Sequence, residues 1–370
     1  MPQFNDIDHL AAQLVQTPKQ STPRSRQNLV TNVLLLKKSI ELLPELNNFL
    51  AKCNSPLLKL AAANLDEKNT ACQSIKNQID TVLDANATIA KKLPTRMRVQ
   101  IAFAIKSGVD GLLDVARGTF AESIEEIHAL VEKIKQEVEC TDIRQGYSVS
   151  RGYHLSVPAT IFQIDTLDTS RFVQCVRRGT RVNCSTEELL SLEERQKDSF
   201  NEIVVMSERV LQNLLVEIRR SMGWMFVFGE SLAFVDLMLC FANTVSLNDG
   251  FVRPEFFEEG PIAVKQGKHP ILHVLSPQLL VANNCFLSET NTFHLVTGPN
   301  CSGKTTYLKQ MGLLTILAHL GSYVPAEYAS FRLTDQVFTC LQHGDRLESN
   351  AGSFFTECCE VSYGNYHLEQ

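Results

Sequence analysis

The chain has 370 residues, 44% of them hydrophobic and 21% charged, with a net charge of −6. That length predicts about two or three domains of a globular protein, and no uninterrupted apolar run is long enough to announce a membrane span. The eleven cysteines are never spaced C-x-x-C and the first residues lack a basic-then-apolar leader, so neither a zinc or disulfide framework nor a secretory signal is expected.

Residues 1 to 30 hold a short helical pattern (Leu10, Leu14, Val15) that the two prolines of 17–24 interrupt. From Gln27 the apolar period becomes helical for a long way, through Leu29, Val33, Leu36, Ile40 and Leu43, then Ile75, Ile79 and Val82, then Ile124, Ile127, Val131 and Ile134. These stretches predict a helical scaffold. Near Cys140 the period shortens, and 147–157 reads as strands. Residues 172–176 and 181–184 flank Arg177-Arg178-Gly179-Thr180, which predicts a hairpin with a basic turn. From Asp142 to Arg181 six arginines face three aspartates, a basic island on an acidic chain. Charge alone leaves two readings, phosphate contact with a nucleic acid or a solvated hairpin whose charges protect an edge strand, and it favours the second.

A helical pattern resumes at Thr186 and runs through Leu189, Ile203, Leu214 and Ile218. A second apolar stretch, 231–245, contains Asp236, for which a hydrogen bond or an interface is expected, since a bare buried carboxylate is costly. His269 and His273 stand four apart, but Pro270 lies between them and no third ligand is near.

The most specific signal is Gly298-Pro299-Asn300-Cys301-Ser302-Gly303-Lys304-Thr305, followed by Thr306. It fits G-x-x-x-x-G-K-[ST], a loop whose backbone N–H groups cradle phosphates while the lysine adds charge and the hydroxyl of Thr305 ligates Mg²⁺. The alternation at 293–297 predicts a buried strand before the loop, and 306–320 predicts a helix stopped by Gly321. ATP and Mg²⁺ are the expected cofactors. An accidental glycine-rich loop is the alternative.

Residues 297–310, with Gly321-Ser322-Tyr323-Val324-Pro325-Ala326-Glu327, resemble the ATPase domain of the MutS family, as do Gly267-Lys268-His269-Pro270 and Ala282-Asn283-Asn284. Residues 236–242, 252–256, Arg151-Gly152-Tyr153-His154 and 54–58 are similar to its meiosis-specific fourth eukaryotic branch. The resemblance implies a multidomain fold. A long α-helical core and lever spans 1–107, with an inserted β clamp in 108–193 whose tip is at 142–184. Returning lever helices follow in 194–247, and an incomplete α/β P-loop ATPase domain of ABC type in 248–370. It turns Arg177, Arg178 and Arg181 into expected DNA-backbone contacts on double-stranded DNA or recombination junctions. It implies nuclear, chromosomal work in meiotic recombination, as a heterodimer with another MutS homologue, the fifth eukaryotic one.

Glu348 to Glu357 resembles the loop that reaches the partner's ATP, with Gly352 where the family has a hydroxyl residue and Ser353 beside it. The family's mismatch-reading domain has no counterpart before the core, and no strand ending in Asp-Glu follows the loop before Gln370. The expectation is therefore a truncated ATPase domain that hydrolyses ATP poorly. A non-catalytic scaffold that binds a partner is the alternative, and a mismatch sensor a weaker one.

Overall fold

The computed structural model describes residues 3–16, 22–89, 94–163, 171–276, 278 and 280–339. The chain divides into two compact units, Met1–Asp236 and Leu237–Gln370.

The first unit is built on helices whose starts are written in the sequence. Helix α1 (Ile7–Val15) is capped by Asp6, and α2 (Pro23–Glu41) opens with a Thr22/Ser25 capping box and proline in its first turn. Helices α3 (Leu43–Leu50), α4 (Pro56–Asn64), α5 (Thr70–Val82) and α6 (Pro94–Ala102) follow. Asp110 then caps the long α7 (Gly111–Glu137) by accepting from two backbone N–H groups.

After the sheet described below, the chain returns as α8 (Glu187–Arg220), capped by Thr186. At 34 residues α8 extends about 50 Å. Leu34, Leu36, Ile75, Phe120, Phe200, Leu214 and Phe228 are buried together, and they come from helices far apart in sequence. That shared core explains why the helical period persists over so much of the chain.

Helices α7 and α8 run antiparallel out of this core and build a second one at their far end. There Ile127, Val131 and Ile134 of α7 and Leu189 of α8 pack under a four-stranded antiparallel sheet. Its strands are β1 (Arg144–Ser148), β2 (Gly152–Pro158), β3 (Val173–Arg178) and β4 (Arg181–Ser185), in the order β1-β2-β4-β3. Tyr153, Leu155, Val157, Val182 and Cys184 supply the inner face. Their alternation is what the sequence shows as strand period.

Helix α9 (Met222–Leu247) begins in the first unit, where Trp224, Met225, Phe228, Leu232 and Val235 are buried. By length and composition α9 is apolar enough to cross a bilayer, the one such helix among the described residues. No unbroken apolar run reveals it in the sequence because Glu230 and Asp236 interrupt the run. Asp236, for which a hydrogen bond or an interface is expected, is exposed.

The second unit carries β5 (Phe251–Val252), β6 (Glu255–Phe257), β7 (Ile262–Gly267), α10 (Pro270–Leu275) and β8 (Asn283–Leu287). Helix α11 (Lys304–His319), β9 (Val324–Pro325) and β10 (Tyr328–Arg332) complete it. The sheet order is β6-β10-β7-β8, with β10 parallel to β6 and the other pairs antiparallel; β5 pairs with β9. Leu314 and Ala318 of α11 pack with Val264, Cys285, Ala329 and Phe331 from the sheet.

Gly321, at φ 85°, ends α11. Its N–H donates to Ala318 O and that of Ser322 to Leu317 O, the two bonds of a glycine stop. The strand expected at 293–297 is not formed. That segment is irregular and exposed, with Phe293 78% and Leu295 79% accessible. Alternation is only half of a strand; the other half is a neighbour to bond, and none of the described strands pairs with it.

Candidate nucleotide loop and nucleic-acid interface

The glycine-rich loop sits at the N-terminus of α11. Gly303, the residue before the helix, has φ 94°, a backbone state that suits glycine, and Cys301 in mid-loop has φ 60°. No side chain caps the helix, so the N–H groups of its first turn point into the loop without an intrahelical acceptor. Nζ of Lys304 folds back and donates to Gly298 O (2.7 Å) and Pro299 O (2.6 Å). Thr305 and Thr306 are exposed, as are Asn300, Cys301 and Ser302. N–H donors, one ammonium and the hydroxyls of Ser302, Thr305 and Thr306 on an open loop at the positive end of a 16-residue helix form a donor set for oxyanions. A triphosphate and its Mg²⁺ fit that chemistry, with Thr305 the hydroxyl available to the metal.

The stretches that precede the loop in sequence meet behind it. Gln310, in the second turn of α11, is 1% exposed. Its Nε2 donates to Gly267 O (2.9 Å), and its Oε1 accepts from Nδ2 of Asn283 (3.1 Å). Next to them the Gln266 N–H donates to Oδ1 of Asn284 (2.8 Å), and Lys268 N–H to Pro325 O. Gly267 and Asn283 therefore tie β7 and β8 to the helix that carries the loop, and Asn284 ties β8 to β7. Spacing gives no hint of this, since 43 residues separate Gln310 from Gly267.

His269 caps α10 through Nδ1, and burial holds its imidazole below the usual histidine range. His273 shares a hydrogen bond between Nε2 and Asp249 O. Gly352 and Ser353 lie outside the described residues.

At the β3–β4 end of the four-stranded sheet the three predicted arginines separate. The turn is only Gly179-Thr180, with Gly179 at φ 61°, so Arg177 and Arg178 end β3 rather than occupy the turn as expected. Both are exposed. Arg177 Nε donates weakly to Gly179 O (3.4 Å).

Arg181 differs from the expectation of an available phosphate contact. Its guanidinium donates to Asp142 Oδ2 (2.7 Å), Asp142 O (2.7 Å), Ser156 O (2.6 Å) and Ser156 Oγ (3.0 Å). It staples β4 to β2 and to the segment before β1, and with Arg144 it holds the Asp142 carboxyl below the ordinary range. Arg171 pairs with Glu137 at 2.6 Å. Arg151, Arg177 and Arg178 have no ion pair among the described residues.

Arg151 and Arg178 line an open groove of about 660 Å³ on the outer face of the sheet, with Ser148, Ser150, His154 and Asn183. Arg151 lies in the β1–β2 turn and Arg178 beside the β3–β4 turn, at opposite ends of the sheet. Sequence reasoning places Arg151 in the basic island without singling it out; its signal is an arginine in a hairpin turn.

The motif around it has a packing reason. Gly152 has φ 74°, and a Cβ there would overlap the Glu193 carboxyl of α8. Tyr153 enters the core, and the His154 ring covers Gly146. Below the sheet, Arg98 of α6 donates to the Tyr147 hydroxyl (2.8 Å) and lies over the Phe200 ring of α8 (4.4 Å). These contacts anchor the tip to the scaffold.

Two family profiles match the chain: MutS family domain IV over residues 108–202 and MutS domain V over residues 294–365. The human protein named MutS protein homolog 4 is 34% identical over 362 residues, 97% of this chain and 38% of its own length. A relative from Arabidopsis thaliana, named DNA mismatch repair protein MSH4, is 35% identical over 92% of this chain and 43% of its own length. The Clostridium tetani protein named DNA mismatch repair protein MutS is 29% identical over 89% of this chain and 36% of its own. The chain thus spans well under half the length of these relatives.

Proposed function

Because the chain belongs to the MutS family, we propose that it supplies the DNA-holding and nucleotide-sensing parts of an ATP-gated clamp acting in meiotic recombination. The observation that carries the nucleotide half is Lys304, held at the mouth of an uncapped helix N-terminus beside the exposed hydroxyls of Thr305 and Thr306. In this reading Gly298 to Thr306 bind the phosphates of ATP, and Thr305 holds Mg²⁺. Bound nucleotide supplies charge that the loop N–H groups and Lys304 neutralise. Gln310 fixes the loop helix against β7 and β8 and keeps those donors in place.

The DNA half rests on the outer groove. Arg151 and Arg178 in the groove, and the exposed Arg177 beside the β3–β4 turn, offer guanidinium groups to phosphates, and the other polar lining (Ser148, Ser150, Asn183) suits backbone more than base contact. Among the described residues no Phe, Tyr or Trp lines the groove, and the His154 ring lies over Gly146, so base stacking is not part of the reading. Duplex DNA or a recombination junction is the proposed substrate, a second MutS homologue the proposed partner, and the chromosomes the proposed location. The similarity to proteins named MutS homolog 4 supports the meiotic assignment.

Binding of labelled duplex and junction DNA at several salt concentrations, with and without a non-hydrolysable ATP analogue and Mg²⁺, tests the proposal. The expected result is salt-sensitive binding whose dissociation rate changes with nucleotide. DNA release indifferent to nucleotide, in a protein shown to bind that nucleotide, would sink the gating; absence of DNA binding would sink the clamp.

A further inference from the structure

The β3–β4 pairing contains an irregularity that the DNA reading does not use. Val173 pairs with Ser185 and Val176 with Asn183, so Gln174 and Cys175 together face the single residue Cys184. This is a bulge, two residues against one, and Gln174 takes φ 53° to make it. The bulge puts two cysteines on neighbouring strands at the same level. The regular pairs that bracket the bulge have Cα atoms about 4.5–5.5 Å apart, and Cys175, facing Cys184 between them, is placed near the range a disulfide spans.

The two thiols differ in access. Cys175 is exposed and its Sγ lies 3.6 Å from Phe172 O; Cys184 is fully buried, with Sγ 3.9 Å from Leu155 O. Cys175 also lines the groove that holds Arg151 and Arg178, where an anionic small thiol would find complementary charge.

We propose that Cys175 and Cys184 are a reversible dithiol–disulfide pair, closed by a low-molecular-weight anionic disulfide such as oxidised glutathione, which locks the β3–β4 hairpin. Cys175 attacks first, as the accessible thiol. Its sulfur bonds to one glutathione sulfur and expels the other glutathione as a thiol. Cys184 then attacks the Cys175 sulfur of the mixed disulfide and expels the second glutathione. The two protein thiols lose two electrons and two protons in all, and one glutathione disulfide becomes two glutathione thiols. Burial, and then the neighbouring Cys175 thiol, push the Cys184 thiol up to about 12. It therefore waits as a thiol and serves as the resolving group, not the first nucleophile.

The intact chain, treated with oxidised glutathione and mapped by peptide mass spectrometry without reductant, tests this. A linked peptide pair containing Cys175 and Cys184, lost on adding dithiothreitol and absent in Cys175→Ser, is the expected result. In Cys184→Ala the expected product is a stable glutathione adduct on Cys175. Hydrogen exchange of hairpin amides 173–185 should slow about tenfold on closure, because the cross-link removes open states of the hairpin. The wild-type chain stopping at an adduct on Cys175 overturns the proposal. So does an unmodified Cys175 in a sample whose exposed Cys240 and Cys301 have reacted.

Discussion

The clamp tip and the glycine-rich loop both turn positive charge toward solvent, and they assemble it by opposite means. At the loop the charge is mostly backbone: uncapped N–H groups at the head of α11, with Lys304 the single ionised side chain held in place by two carbonyls. At the tip it is all side chain, and the sheet uses some of it for itself. Arg144, Arg171 and Arg181 are bonded to Asp142 and Glu137, while Arg151, Arg177 and Arg178 carry no ion pair among the described residues. Backbone chemistry leaves a spaced motif that a sequence displays. Side-chain chemistry leaves only a surplus of arginine, and the fold decides which of them remain for a ligand.

The sharpest way to break this contrast is at Lys304. Replacing it with alanine removes the one charged donor and leaves the helix N-terminus intact, so ATP affinity should fall about 10- to 100-fold without a change in thermal stability. Titration with a fluorescent ATP analogue reads it directly. An unchanged affinity would mean that the backbone alone holds the phosphates.

The next effect is structural. Gly152→Ala places a Cβ at φ 74° against the Glu193 carboxyl, which should destabilise the clamp by on the order of 2 kcal/mol. Hydrogen exchange confined to the β1–β4 sheet measures it, and ATP binding should stay as in the parent. A loss of nucleotide affinity in that variant would contradict the separation of the two regions.

Much of this was legible in the chain, for physical reasons that differ by element. Helix starts were readable where a cap is local: the Thr186 cap of α8 and the glycine stop at Gly321 fall where composition places them. The β tip was readable because Leu155, Val157, Val182 and Cys184 alternate toward one core. The segment 293–297 was misread because its alternation has no partner among the described strands. Long-range polar contacts were invisible. Gln310 reaching Gly267, and Arg181 reaching Asp142 across 39 residues, follow from chain topology and leave no periodic trace.

The arginines sharpen the contrast from the other side. Arg177→Ala/Arg178→Ala should lower DNA affinity and make its salt slope shallower by about 1.8, close to 0.9 for each phosphate that an arginine no longer neutralises. Clamp stability should not move. Arg181→Ala should do the reverse, costing about 1–2 kcal/mol of clamp stability as its charge-assisted bonds disappear, while the salt slope stays near that of the parent. Equal salt slopes in the two variants would show that the sheet does not divide its arginines as described.

The smallest effect is a titration. The Asp142 carboxyl is held below its ordinary range because Arg181, and then Arg144, donate to it. A carboxylate depressed in the folded state contributes stability that is present above its unfolded value, about 4. That contribution is lost as pH falls through the still lower folded value. Protection of the amides around 142–158 should therefore be flat from neutral pH down to about 4 and decline below it, as far as this carboxylate governs it. In Arg181→Ala the decline should begin at the same pH, which the unfolded value sets, but be smaller and end sooner, since only Arg144 remains to hold the charge. Because Asp142 is solvent-exposed, raised salt should weaken the dependence in the parent. A decline indifferent to salt would show that this surface pair is not its origin; Glu193, pushed up by burial, would act with the opposite sign, since protonation relieves it.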